Sequence, residues 1–113
     1  MKKISKEEGK RLEASNSCDV IEYPLGDKDI NGAVAEIRGR YPEKDRVVNT
    51  ECKELVYVIE GKGKVVVEGE DYEFEKGDVL LIEPGEKYYW EGTFKIFMPC
   101  TPAWYPEQHK EVD

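Results

Sequence analysis

Histidine is almost missing from this chain of 113 residues, which has one, His109. A site built from several imidazoles is therefore excluded, and with it the tight transition-metal binding those nitrogens support. Long apolar runs are missing too. No stretch approaches the roughly 18–20 residues needed to cross a bilayer, so no membrane partner is expected. The N-terminal MKKISKEEGKRLEAS has lysines but no apolar segment behind them, which is not the pattern of a secretory signal. A cytoplasmic location is the expectation. Cysteine is scarce: Cys18, Cys52 and Cys100 are odd in number and far apart, with neither a disulfide framework nor a C-x-x-C pair. Buried free thiols in a reducing compartment are expected. Positive charge is in deficit, with a net charge of −8. That field repels a phosphate backbone, so nucleic acid is not an expected partner. There is no phosphate-binding glycine loop, nucleophile–base pair or paired catalytic carboxylate.

What is present is a succession of short strands. CDVIEYPLG and AVAEIRG are apolar runs punctuated by Gly, Pro, Asp and Asn. ELVYVIE and KVVVEG, separated by GKG, read as a hairpin. YEFE alternates, placing Tyr72 and Phe74 on one face, and FKIFM does the same for Phe94, Ile96 and Met98. Ser5 and Glu8 have capping-box spacing, predicting a short helix over Lys6 to Ala14. The closing PCTPAWYPEQHKEVD reads as irregular. The expected organisation is a helix and lead-in at 1–17, a barrel at 18–100 and a proline-rich tail at 101–113. Many short strands with one short helix indicate an all-β sandwich or barrel. Closure into a barrel or jelly roll also removes exposed strand edges.

Two motifs then narrow the class. GDVLLIEPGEKYYWEG carries Gly77, Asp78, Pro84 and Gly85, and Glu54 and Gly61 frame YVIEG seven residues apart. This pattern resembles the cupin superfamily, small double-stranded β-helix (jelly-roll) barrels, over about Val47 to Gly92. In that family three histidines and a glutamate hold a metal inside the barrel. Here Glu54 keeps its place, but Tyr88 stands where one histidine belongs. Val48 and Thr50 fall at the other two places, or Val47 and Asn49 in a looser spacing. The resemblance therefore implies a barrel without the usual metal and without a cofactor. It also implies a homodimer paired through an outer sheet face.

Strand parity from Glu54 puts Cys52 and Thr50 on its face, and alternation puts Tyr88 and Trp90 together. An inward carboxylate without a metal needs hydrogen-bond donors or a wet cavity. Tyr88 and Thr50 are natural donors to Glu54, and Trp90 offers a surface for stacking. The expected ligand-binding set is thus Glu54, Tyr88, Thr50, Cys52 and Trp90, facing a small polar or carbohydrate-like molecule. Enzymes stay open beside simple binding. In one version Glu54 and Tyr88 act as base and acid of a metal-free isomerase or epimerase. In another, Cys52, Glu54, Tyr88 and a folded-back His109 form a mixed metal site for oxidation. A non-catalytic dimeric module with a closed core is the third class. Trp104 and Tyr105, among prolines, suit a lid, an interface anchor or a pin for the tail. Arg38, Arg40, Lys44 and Arg46 suit a solvated surface or an anion-attracting mouth.

Overall fold

The computed structural model describes residues 1–113, most of them in strands. In chain order these are β1 (Lys10–Ser15), β2 (Cys18–Tyr23), β3 (Asn31–Tyr41), β4 (Arg46–Asn49), β5 (Lys53–Val67), β6 (Glu70–Glu75), β7 (Val79–Ile82), β8 (Lys87–Thr101) and β9 (His109–Val112). One path of antiparallel neighbours runs β1-β2-β3-β8-β4-β9, and β5 joins it by pairing with β8 while also pairing with β6 and β7. The long strands β5 and β8 each serve several partners, which curls the sheet around one interior. The double-stranded β-helix expected from the motifs is the fold.

The expected hairpin at GKG does not form. β5 runs unbroken from Lys53 to Val67, with a register shift between Val58 and Glu60 against β8. The glycines there serve close approach instead. Gly63 pairs with Gly92 across β5 and β8, and a Cβ on Gly63 would lie 2.8 Å from the Phe94 ring. The real hairpin turn is Glu68-Gly69, both with positive φ (49° and 82°), as a two-residue primed turn requires. Pro84-Gly85 turns as expected: Gly85 has φ +84° and the Glu86 N–H donates to the Glu83 carbonyl.

The chain ends also differ from expectation. The capping box exists, since the Glu8 N–H donates to Ser5 Oγ (3.3 Å) and the Ser5 N–H donates to Glu8 Oε1 (3.1 Å). It caps only a 3-10 turn, Lys6–Glu8, and the rest of the expected helix is β1. So short a helix has little intrinsic stability, whereas β1 gains a ladder against β2, interrupted only between Glu13 and Ser15. The tail is ordered as a second 3-10 turn, Pro106–Gln108, followed by β9 on β4. Apolar side chains from both walls fill the interior, among them Ile37, Val56, Val58, Val65, Phe74 and Ile96.

Candidate acid–base site in the barrel cavity

Part of that interior is hollow. A cavity of about 170 Å³ lies between β1–β3 on one side and β4, β5, β8 and the tail on the other. Ala33, Ala35, Ile37, Ile96 and Met98 give it an apolar floor, and its polar end gathers Glu54, Tyr88, Asn49, Tyr41, His109 and Trp104.

Asn49, the last residue of β4, is the hub of this polar end. Its Nδ2 donates to Glu54 Oε1 (2.7 Å) and to the Tyr88 hydroxyl (3.2 Å). The Tyr88 hydroxyl in turn donates to Glu54 Oε1 (3.2 Å). On the other side Asn49 Oδ1 accepts from Trp104 Nε1 (3.1 Å) and lies 2.8 Å from His109 Nδ1. Since an indole N–H can only donate, the amide orientation is fixed, and His109 Nδ1 must carry a proton. His109 Nε2 then accepts from the Tyr41 hydroxyl at 3.3 Å.

Electrostatics follow from this burial. Glu54 is 8% exposed, and burial raises its pKa, opposed by the bonds from Tyr88 and Asn49. Both donors reach the same oxygen, so Oε2 has no protein partner. The sole fully buried unpartnered side-chain atom is Gln108 Nε2, so Glu54 Oε2 keeps some exposure, and Glu54 lines the cavity. Burial drives the Tyr88 hydroxyl well above its ordinary pKa and pushes Tyr41 up to about 12. For His109 burial acts the opposite way, lowering the pKa and favouring neutral imidazole, with Glu111 opposing.

Of the expected site residues, the structure brings Glu54, Tyr88 and Trp90 to the cavity. Thr50 and Cys52 are corrections. β4 ends at Asn49 and β5 starts at Lys53, so a bend at Thr50–Cys52 breaks the parity counted back from Glu54. Thr50 is exposed, and its amide donates to the Gln108 carbonyl. Cys52 is buried outside the cavity lining, and its amide donates to Gln108 Oε1 at 2.8 Å. A hydrogen bond with Cys100 and burial push the Cys52 thiol up, away from reactive thiolate. Cys100 does line the cavity, its thiol donating to Asn31 Oδ1 at 2.9 Å. Asn49, Tyr41 and Asn31 are the residues missed. Only the looser motif spacing, with Asn49 at a histidine place, pointed to one of them.

The tail supplies the rest. Trp104 is pinned by Asn31, whose Oδ1 accepts from the Trp104 N–H (3.1 Å) and whose Nδ2 donates to the Trp104 carbonyl (3.3 Å). The basic residues near the first motif belong to the surface. Arg38 pairs with Asp19 (3.0 Å), Arg40 lies over the Tyr89 ring, and Arg46 donates to the Asp113 carbonyl.

A family described as Cupin domain matches residues 43–95, the stretch that builds β4 to most of β8. The chain has the cupin fold. Among solved structures, a variant of Streptomyces PAC13 with uridine superposes with a TM-score of 0.89 at 17% identity, covering 98% of this chain and 90% of that one. Pac13 is described as a nucleoside dehydratase. The polyketide cyclase RemF from Streptomyces resistomycificus follows at 0.75 and 16% identity, over 100% and 86% of the two chains. Ectoine synthase from P. lautus gives 0.71 and 17%, over 91% and 80%. These likenesses establish the fold. No curated protein matches the chain.

The donor set of this barrel does not fit the transition metal that a cluster of imidazoles would hold. No three His, Cys, Asp or Glu side chains converge anywhere in the chain. Asn49 and Tyr88 bond to Glu54 rather than aiming free donors at a common point, and Cys52 lies outside the cavity lining. A mixed site of Cys52, Glu54, Tyr88 and His109 is not assembled.

Proposed function

We propose that this protein binds a small hydroxylated, ring-sized molecule in its barrel, without a metal, and that Glu54 and Tyr88 mark its polar contacts. The observation that carries this reading is a buried carboxylate with one oxygen left open to a cavity whose opposite wall is apolar. A cavity of about 150 Å³ can accept benzene, so the volume here suits one ring with a few substituents. Trp90 and Met98 would contact the ring, and Glu54 Oε2 a hydroxyl. The neighbour with uridine supports a sugar-bearing ligand as the first probe, of which this volume suits the ribose ring alone. Calorimetry with uridine, ribose and free hexoses tests the reading. Glu54→Gln and Tyr88→Phe are expected to weaken binding about 2- to 10-fold each, the worth of one hydrogen bond. No binding by any probe, or unchanged affinity in both variants, would overturn it. So would a stoichiometric transition metal in the purified protein.

A specific observation favours an enzyme over a simple binder. Burial favours the neutral form of both Glu54 and His109 within one cavity, which leaves a carboxylic acid able to donate a proton beside an imidazole able to accept one. The reaction class proposed is metal-free proton transfer, as in isomerisation or loss of water from a hydroxylated substrate. A homodimer completes the reading. Leu55 and Tyr57 on β5, Val79 and Leu81 on β7 and Phe97 on β8 are exposed and paired in register, making an apolar outer face suited to a second copy. Three free cysteines fit a reducing, cytoplasmic setting.

A further inference from the structure

We infer that His109, from the C-terminal tail, is the proton acceptor of the cavity, working through the Tyr41 hydroxyl, with Glu54 as the proton donor. The inference rests on the cavity being a ligand site, and it assigns the two roles within it. An Asn side chain offers one acceptor and one donor end, and here both are committed. Trp104 Nε1 and His109 Nδ1 meet at Oδ1, whereas Glu54 and Tyr88 meet at Nδ2. One amide therefore sets the proton state on both sides of the cavity. On the His109 side it selects the Nδ1–H tautomer, leaving the Nε2 lone pair toward Tyr41. On the Glu54 side two donors occupy Oε1, so the proton of the neutral acid resides on Oε2, facing the cavity.

Tyr88 is a poor candidate for the acid. Its hydroxyl is buried, accepts from Asn49 and already spends its proton on Glu54. Tyr41 and His109 are both partly open and both line the cavity. A substrate hydroxyl or activated C–H gives its proton to Tyr41 Oη as the Tyr41 proton passes to His109 Nε2. The substrate keeps the electron pair, and the imidazolium that forms keeps its Nδ1–H on Asn49. Glu54 Oε2–H delivers its proton to the substrate oxygen that gains charge or departs as water. Proton exchange with solvent then restores neutral His109 and neutral Glu54. The charged or titratable neighbours of His109 are Glu111 on its own strand, Tyr41 on β3 and, beyond Asn49, Glu54 on β5. Asn49 and the Trp104 ring, with centroids 5.7 Å apart from His109 in the latter case, complete its surroundings and carry no charge.

His109 is the only histidine, so its signals need no assignment. Nitrogen-15 NMR of the imidazole in the full chain at neutral pH is expected to report a protonated Nδ1 and a bare Nε2. Asn49→Ala is expected to lose that preference, whereas Trp104→Phe, in which Glu54 and Tyr88 still orient the amide, is expected to keep it. A protonated Nε2, or an imidazolium at neutral pH, in the unmodified protein overturns the inference. Carbethoxylation by diethyl pyrocarbonate, located by mass spectrometry, reads the lone pair directly. His109 is expected to react, and faster in Tyr41→Phe, where the hydroxyl no longer occupies Nε2; an inert His109 in both proteins also overturns it. Uridine is expected to protect His109. Reaction at His109 without protection by uridine upholds the inference while rejecting uridine as the ligand, so the two failures remain distinct.

Discussion

The barrel has one region that is full and one that is hollow, and the same strand helps to build both. In the full region Phe74 meets Phe94 edge-on at 4.8 Å and Trp90 at 5.7 Å, over backbone thinned to glycine at Gly63 and Gly92. In the hollow region Tyr88, two residues before Trp90 on β8, ends in a hydroxyl bonded to Glu54 and Asn49. Trp90 is the partition, packing on Phe74 and Phe94 while also lining the cavity. The contrast separates two tasks. Aromatic burial and dispersion hold the fold together, which frees the other region to keep a buried acid, an imidazole and empty volume that all cost stability.

The largest expected effect breaks the full region. Phe94→Ala removes a ring that is 4% exposed and leaves a void beside Phe74 and Trp90. A loss of about 3–5 kcal/mol is expected in urea denaturation, the usual cost of a truncated core phenylalanine. If the regions are separable, the His109 tautomer in the folded variant stays as in the parent. A changed tautomer would show that the aromatic packing also positions Asn49.

A smaller effect sharpens the hollow region through pH. Burial raises the Glu54 pKa above its ordinary 4.5, so the folded state binds this proton more tightly than the unfolded chain. The favourable contribution is complete below pH 4.5 and is lost as pH rises through the folded value. His109 slopes the other way: its pKa is lowered from 6.5, so its contribution is present above 6.5 and lost as pH falls through the folded value. Glu54→Gln keeps the shape of the neutral acid and cannot ionise. The stability difference, variant minus parent, is expected to grow in the variant's favour as pH rises above 4.5. A difference curve flat with pH would mean that Glu54 titrates normally.

The full region was the more legible in the sequence. Alternation put Phe94 with Ile96 and Tyr88 with Trp90 on common faces, which the structure buries, because β-strand parity holds wherever a strand is unbroken; Tyr72, placed on the face of Phe74, is exposed all the same. Gly77-Asp78 and Pro84-Gly85 marked the turns correctly for the same local reason. GKG misled because glycine serves close backbone approach as readily as a turn, and only the β5–β8 pairing distinguishes the two. The hollow region was half legible. Glu54 and Tyr88 came from motif spacing, but Tyr41, Asn49 and His109 belong to three different strands. Their meeting depends on β4 lying between β8 and β9, a long-range pairing that no local pattern encodes.

The smallest expected effect tests where the hollow region stops. Thr50 and Asn49 are adjacent, yet β4 ends between them and their side chains part. Asn49 is 3% exposed and bonds four partners in the cavity, while Thr50 lies in the exposed bend before β5. What Thr50 gives the fold is its backbone N–H, which donates to the Gln108 carbonyl at 3.1 Å and survives any substitution except proline. Thr50→Ala is therefore expected to change stability by no more than about 0.5 kcal/mol and to leave uridine affinity unaltered. A loss of binding in this variant, read by the same calorimetry, would restore the parity counted back from Glu54. It would also require the bend to straighten when ligand enters, moving the boundary of the site one residue along the chain.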